Sequence, residues 1–242
     1  MPKGGKTYTE QEVTVLVRQA RKNLLDSITY ELFTPLTAIR SLAEVLRDGL
    51  VKSEQDQHAY HTKIISETRN MEQLAADLIE LSKLQNGCIP FEKKAVRAAD
   101  VFGPVFERFL MRCADTELTL DVEQFHLQSL PLLQTEADRL VRLINILLDN
   151  SIRLAGQSET VRFTYEISSA CVTFCIQTGA VISEINMDSL FHSLYNSDTG
   201  CIAPINRMEF AVAEQIAVGL NEKLWAESSE DTGTAFYFTV SV

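Results

Sequence analysis

The sequence predicts an α+β chain in which a long helical hairpin precedes an α/β sandwich. Three observations point there. Apolar residues recur at spacings of three and four from Val13 to Leu46, and again from Tyr60 to Leu81, which is the stripe of a long buried helix. After Cys88 the pattern changes to short β-branched and aromatic runs alternating with shorter helical ones. At 242 residues with 45% apolar side chains, the chain has enough material for two cores.

Residues 1–8 read as a flexible tail, and residues 9–87 as the hairpin. Thr9 with Glu12 forms a capping box. The first stripe runs through Val13, Leu16, Val17, Ala20, Leu24, Ile28, Leu32, Leu36, Ile39, Leu42 and Leu46. Pro35 falls inside it and predicts a bend, because proline removes a ladder bond. Gly49 ends this helix. Ser53 with Asp56 opens the second, whose stripe is Tyr60, Ile64, Met71, Leu74, Leu78 and Leu81. Helices of this length are roughly 55 Å long. A lone hairpin would expose much of each stripe, so two chains are expected to pair into a four-helix bundle.

Residues 88–242 read as the sandwich. Strands are expected at 89–93, 118–122, 161–167, 171–176, 224–227 and 235–240, with the Ser168-Ser169 turn joining the middle pair. Helices are expected at 100–112, with an uncertain start at Gly103-Pro104, and then from a Thr135/Asp138 cap through Leu140, Leu143, Ile144, Leu147, Leu148 and Ile152. A last helix at 207–218 ends at Gly219. Helices on one face of the sheet suit this order.

The net charge of −11 argues against nucleic acid and against anionic membrane surfaces, since no basic patch is evident. No apolar run approaches the ~20 residues of a membrane helix, and no apolar segment follows the N-terminal residues, so a signal peptide is not expected. Five scattered cysteines fit reduced thiols rather than a disulfide framework or zinc site. A cytoplasmic protein is expected. His58 and His61 lie one turn apart without a third ligand, so no metal site is read there, and His126 falls in a loop.

The stretch Thr29-Tyr30-Glu31-Leu32-Phe33-Thr34-Pro35-Leu36-Thr37-Ala38-Ile39 resembles the phospho-acceptor box of sensor histidine kinases, Ser-His-Glu-Leu-Arg-Thr-Pro-Leu-Thr-x-Ile. Leu78-Ile79-Glu80-Leu81-Ser82-Lys83-Leu84-Gln85-Asn86-Gly87 is similar to that family's exit from its dimerisation hairpin. The resemblance implies a homodimer through residues 9–87. It also places Tyr30 where the family carries its phosphorylated histidine. A tyrosine phenol has a pKa of about 10 and is a weak nucleophile at pH 7, and its phosphate ester lacks the transfer potential of a phosphorylated imidazole. Tyr30, Phe33, Thr34 and Pro35 are therefore read as a partner-binding face. Glu31 and Thr34 are kept as candidate phosphatase-type residues.

The second half resembles the ATP-binding domain of the histidine kinase, gyrase and Hsp90 superfamily. Leu148-Asp149-Asn150-Ser151-Ile152-Arg153 looks like the asparagine box, which implies Asn150 at the Mg²⁺ position and Arg153 facing phosphate. The box's other asparagine is missing, because Ile146 stands in its place and Asn145 is out of register. Gln177-Thr178-Gly179-Ala180-Val181-Ile182 stands where the family has Asp-x-Gly-x-Gly-Ile. This puts Gln177 at the adenine position, keeps Gly179 and replaces a glycine by Val181. Arg207-Met208-Glu209-Phe210-Ala211 stands where the family has Gly-x-Gly-Leu-Ala, so Glu209 replaces a glycine beside the phosphates. The lid stretch between Leu194 and Asn206 is short, and the aromatic segment around His192 flanks it. Gly233-Thr234-x-Phe236 is retained.

With Asn150, Arg153, Gln177 and Gly179 as a vestigial site, no cofactor is expected. The resemblance, with its losses, implies a catalytically inactive pseudokinase that binds or modulates a response-regulator receiver domain or another histidine kinase. One alternative is a diverged histidine kinase or response-regulator phosphatase that still binds Mg-ATP. The other is a dimeric adaptor outside signalling.

Overall fold

In the computed structural model, residues 10–114, 116–122, 126–155, 159–182 and 207–242 are described, with backbone alone for 10–27 and Arg207. The expected tail, the Thr9/Glu12 cap, the lid stretch and the His192 segment lie outside these residues. The chain divides into two compact units, the first up to Leu78 and the second from Ile79 onward.

The first unit is built on α1 (Glu10–Arg47) and most of α2 (Glu54–Gln85). Helix α1 continues through Pro35, whose side chain is buried. Its end follows from Gly49, which takes φ +65° and lets Leu50 N–H reach back to the Val45 carbonyl at 3.3 Å, closing free carbonyls of the last turn. Ser53 caps α2 as expected, its Oγ accepting from Asp56 N–H at 3.4 Å. No described helix is long and apolar enough to cross a membrane.

The second unit begins inside α2. Leu81 and Leu84 are buried, and the Glu80 carboxylate accepts from Arg139 at 2.9 Å and Arg142 at 3.2 Å. The elements then run β1 (Lys94–Val96), α3 (Ala98–Cys113), β2 (Thr119–Asp121), a 3₁₀ turn, β3 (Leu133–Thr135), α4 (Ala137–Ala155), β4 (Thr160–Ile167), β5 (Cys171–Thr178), α5 (Arg207–Gly219), β6 (Leu224–Ser229) and β7 (Gly233–Ser241). The main sheet has the order β2-β4-β5-β7-β6. Among the described strands, β2–β4 is its one parallel pair. Strands β1 and β3 form a separate antiparallel pair.

Alternation makes the sheet two-sided. Along β5, Val172, Phe174, Ile176 and Thr178 are buried, and the residues between them are half-buried. Phe102 and Phe106 of α3 meet Phe163 of β4 and Phe174 of β5, with ring centroids 4.8–5.6 Å apart for the Phe102–Phe163, Phe102–Phe174 and Phe106–Phe163 pairs. Phe210 of α5 meets Phe236 of β7 at 5.3 Å. Each such pair contributes roughly 0.5–1.5 kcal/mol beyond burial. The helices thus cover one face, as expected.

Three expectations change. Residues 89–93 are not a strand; Phe91 packs on α5, Lys93 pairs with Glu222 at 2.9 Å, and the strand starts at Lys94. Thr135 does not cap α4: it belongs to β3, its buried Oγ1 lacks a hydrogen-bond partner, and Leu140 N–H bonds the Glu136 carbonyl instead. Helix α5 ends at Gly219 as expected, but Gly219 is not its left-handed residue. That role falls to Asn221 at φ 53°, with Glu222 N–H closing on the Ala217 carbonyl at 2.9 Å. Gly219 is needed for space, since a Cβ there would meet the Phe91 ring at 2.2 Å.

Candidate functional site

The acceptor stretch lies on α1. Tyr30, Phe33 and Leu36 are 57%, 61% and 49% exposed, and helical spacing sets the three along one side. Between them Thr34 Oγ1 donates to the Tyr30 carbonyl at 3.0 Å, a back-bond common for threonine in helices. Pro35 is buried and Glu31 half-buried. The predicted partner face therefore divides: Tyr30, Phe33 and Thr34 are outside, and Pro35 points in.

In the second unit the amphipathy of α4 sets the geometry. Leu140, Leu143, Ile144, Leu147 and Leu148 are buried, and the same face carries Asn150, fully buried. A buried amide needs partners. Asn150 Nδ2 donates to the Ile146 carbonyl at 2.8 Å and to Glu209 Oε2 at 2.9 Å. Arg153, three residues on, ion-pairs with the same Glu209 oxygen. The Glu209 side chain is 10% exposed and that of Arg153 37%. Asn150 and Arg153, expected together from sequence, are together, and Glu209 joins them.

Asn145 is elsewhere. It accepts a hydrogen bond from Arg108 of α3, and Asp149 pairs with Arg112 at 2.7 Å. Both face α3, as the register of the helix requires.

Gln177 is a correction. It was expected beside Asn150 and Arg153, but strand alternation turns it to the face away from the helices. There its Nε2 donates to the Thr232 carbonyl at 2.8 Å, securing the β6–β7 turn. The inward residue is Thr178, whose Oγ1 donates to Glu159 at 3.2 Å. Gly179 lies beside the same Glu159 carboxylate. The chain after β5 is pinned to the β6–β7 hairpin. Thr234 Oγ1 donates to the Ala180 carbonyl at 2.7 Å, and Ile182 N–H donates to Ser228 Oγ at 3.0 Å. Gly233, at φ +73°, has no room for a side chain, because a Cβ would lie 2.1 Å from the Thr178 carbonyl oxygen. Thr178 and Glu159 were missed, although the period-two run Val172, Phe174, Ile176 already pointed to Thr178.

Comparison with known proteins agrees with this layout. The model of the His Kinase A (phospho-acceptor) domain matches residues 20–87. That of the Histidine kinase-, DNA gyrase B-, and HSP90-like ATPase matches 135–242. Sensor protein kinase WalK of Staphylococcus aureus is 23% identical over 237 residues, covering 96% of this chain and 55% of that protein. The chain thus spans about half the length of this curated relative. Among solved structures, Acinetobacter baumannii histidine kinase AdeS aligns at TM-score 0.65 and 20% identity, covering 88% of this chain and 96% of that one. Histidine kinase ThkA, in complex with response regulator protein TrrA, aligns at TM-score 0.70 and 16% identity, covering 98% and 68%. With both domain models matched in tandem, the chain carries a histidine kinase core, a phospho-acceptor-type hairpin followed by a histidine kinase-type ATPase domain.

Proposed function

We propose that this chain is a pseudokinase of two-component signalling. It pairs through residues 9–87 and binds a response-regulator receiver domain or a partner kinase in the cytoplasm, without transferring phosphate. The observation that carries this reading is Tyr30, which the resemblance sets at the acceptor position and which has more than half its surface open. A phenol there offers a large amphipathic contact and poor phosphotransfer chemistry. Phe33 extends the exposed apolar surface, as a protein-binding patch would. The ThkA structure, solved with a response regulator, supports a receiver domain as the partner class. The phosphatase alternative is less favoured, because the Thr34 hydroxyl already donates to the Tyr30 carbonyl.

The test is calorimetry of the full chain against a panel of purified receiver domains. At least one is expected to bind, and Tyr30→Ala with Phe33→Ala should weaken that binding tenfold or more. Binding by none of them, or unchanged binding by the double variant, would overturn the reading.

A further inference from the structure

Two side chains carry what the family resemblance assigns to metal and phosphate, and one carboxylate oxygen engages both. Glu209 Oε2 accepts from Asn150 Nδ2 at 2.9 Å and pairs with the Arg153 guanidinium. Glu209 is the third residue of α5. Its carboxylate therefore lies at the positive end of the helix dipole, where a phosphate would otherwise be favoured. A carboxylate so nearly buried must have its charge met by protein, and here a guanidinium and an amide meet it.

We propose that Glu209 is a resident anion that fills the phosphate subsite of this domain, excluding phosphate-bearing ligands until the carboxylate is removed. An incoming phosphate would have to draw Arg153 away from Glu209. That would leave two like charges facing each other in a poorly solvated place, a large penalty. Mg-ATP, the group implied by the resemblance, does not fit these side chains as they stand. Val181 stands where that resemblance expects a glycine, and the segment containing it is pinned to the β6–β7 hairpin. The inference rests on reading the domain as a former nucleotide site. It does not depend on Tyr30 or on any partner.

The test uses the full chain with two probes, inorganic pyrophosphate and ATP, followed by calorimetry and thermal unfolding. Wild type should show neither heat of binding nor a raised midpoint. Glu209→Gln keeps size and a hydrogen-bonding group while removing the charge, and Glu209→Gly removes both. Each should bind at least tenfold more tightly than wild type, with a midpoint that rises with ligand concentration. Adding Arg153→Met to Glu209→Gln should abolish the gain. A gain for both probes assigns the subsite to phosphate as such, and a gain for ATP alone assigns it to nucleotides. A folded Glu209→Gln chain with no gain for either overturns the proposal. So does a wild type that already binds either probe and loses it with Arg153→Met. Should Glu209→Gly fail to fold, Glu209→Gln decides. Receiver-domain binding is measured separately, so either proposal can fail while the other stands.

Discussion

The two units have departed from their family's pattern in opposite physical directions. On α1 the replaced residues remain at the surface: Tyr30 and Phe33 are more than half exposed. Around α4 and α5 the replaced residue has turned inward, and Glu209 sits against Asn150 and Arg153. An exposed aromatic adds contact area without disturbing a core. A buried carboxylate must find a cation and donors, and Arg153 and Asn150 supply them here. The hairpin leaves aromatic side chains exposed, while the sandwich meets the charge of Glu209 internally.

Substitutions should therefore act on stability in the second unit and on binding in the first. The largest effect is expected at Gly233. A side chain there would strike the Thr178 carbonyl at positive φ, so Gly233→Val should lower unfolding free energy by on the order of 4 kcal/mol, read as a lower urea midpoint at unchanged slope. A near-neutral result would mean that the β5–β7 junction is looser than described.

A smaller effect is expected at Glu222, which ties the stretch before β1 to the C-terminal strand. Burial opposes its ionisation. Even so, the Lys93 ammonium, the Ser241 hydroxyl and amide and the Thr239 hydroxyl together hold its carboxyl below the ordinary glutamate value of 4.5. Because the folded pKa is the lower one, this stabilisation is full above the unfolded value and is lost as pH falls through the folded one. Glu222→Gln should thus cost about 2 kcal/mol at pH 7. The gap from wild type should close on acidification below pH 4.5. A gap constant from pH 3 to 7 would contradict the assignment.

The smallest stability effect belongs to the open face. Tyr30→Ala with Phe33→Ala should shift unfolding free energy by no more than about 0.5 kcal/mol per site, while weakening receiver-domain capture. A large stability loss would mean that these rings serve the hairpin's own packing.

Most of the fold was legible from periodicity, and the misses share a cause. The long stripes of α1 and α2 offered many turns, and β4 and β5 enough alternation, for their type to be read. Strands β1 and β3 have three residues each, and their pairing, Val96 with Leu133, joins positions far apart in sequence. No local pattern encodes it. Gly219 was read as the left-handed terminator, but its need for glycine comes from a ring, Phe91, packed from elsewhere, and Asn221 takes the positive φ. The site was half legible. Asn150 and Arg153 are close in sequence on one helix, so their meeting followed from helical geometry. The loss of glycine at Glu209 was visible too, but its partners lie on another helix. Gln177 was misplaced because motif alignment was followed where strand parity favoured Thr178.

The central claim, that this core binds without transferring phosphate, is met most directly by restoring the acceptor. Tyr30→His incubated with Mg-[γ-³²P]ATP should remain unlabelled, as should wild type, if Glu209 keeps phosphate away from Arg153 as proposed. An acid-labile, base-stable label on Tyr30→His would contradict the account.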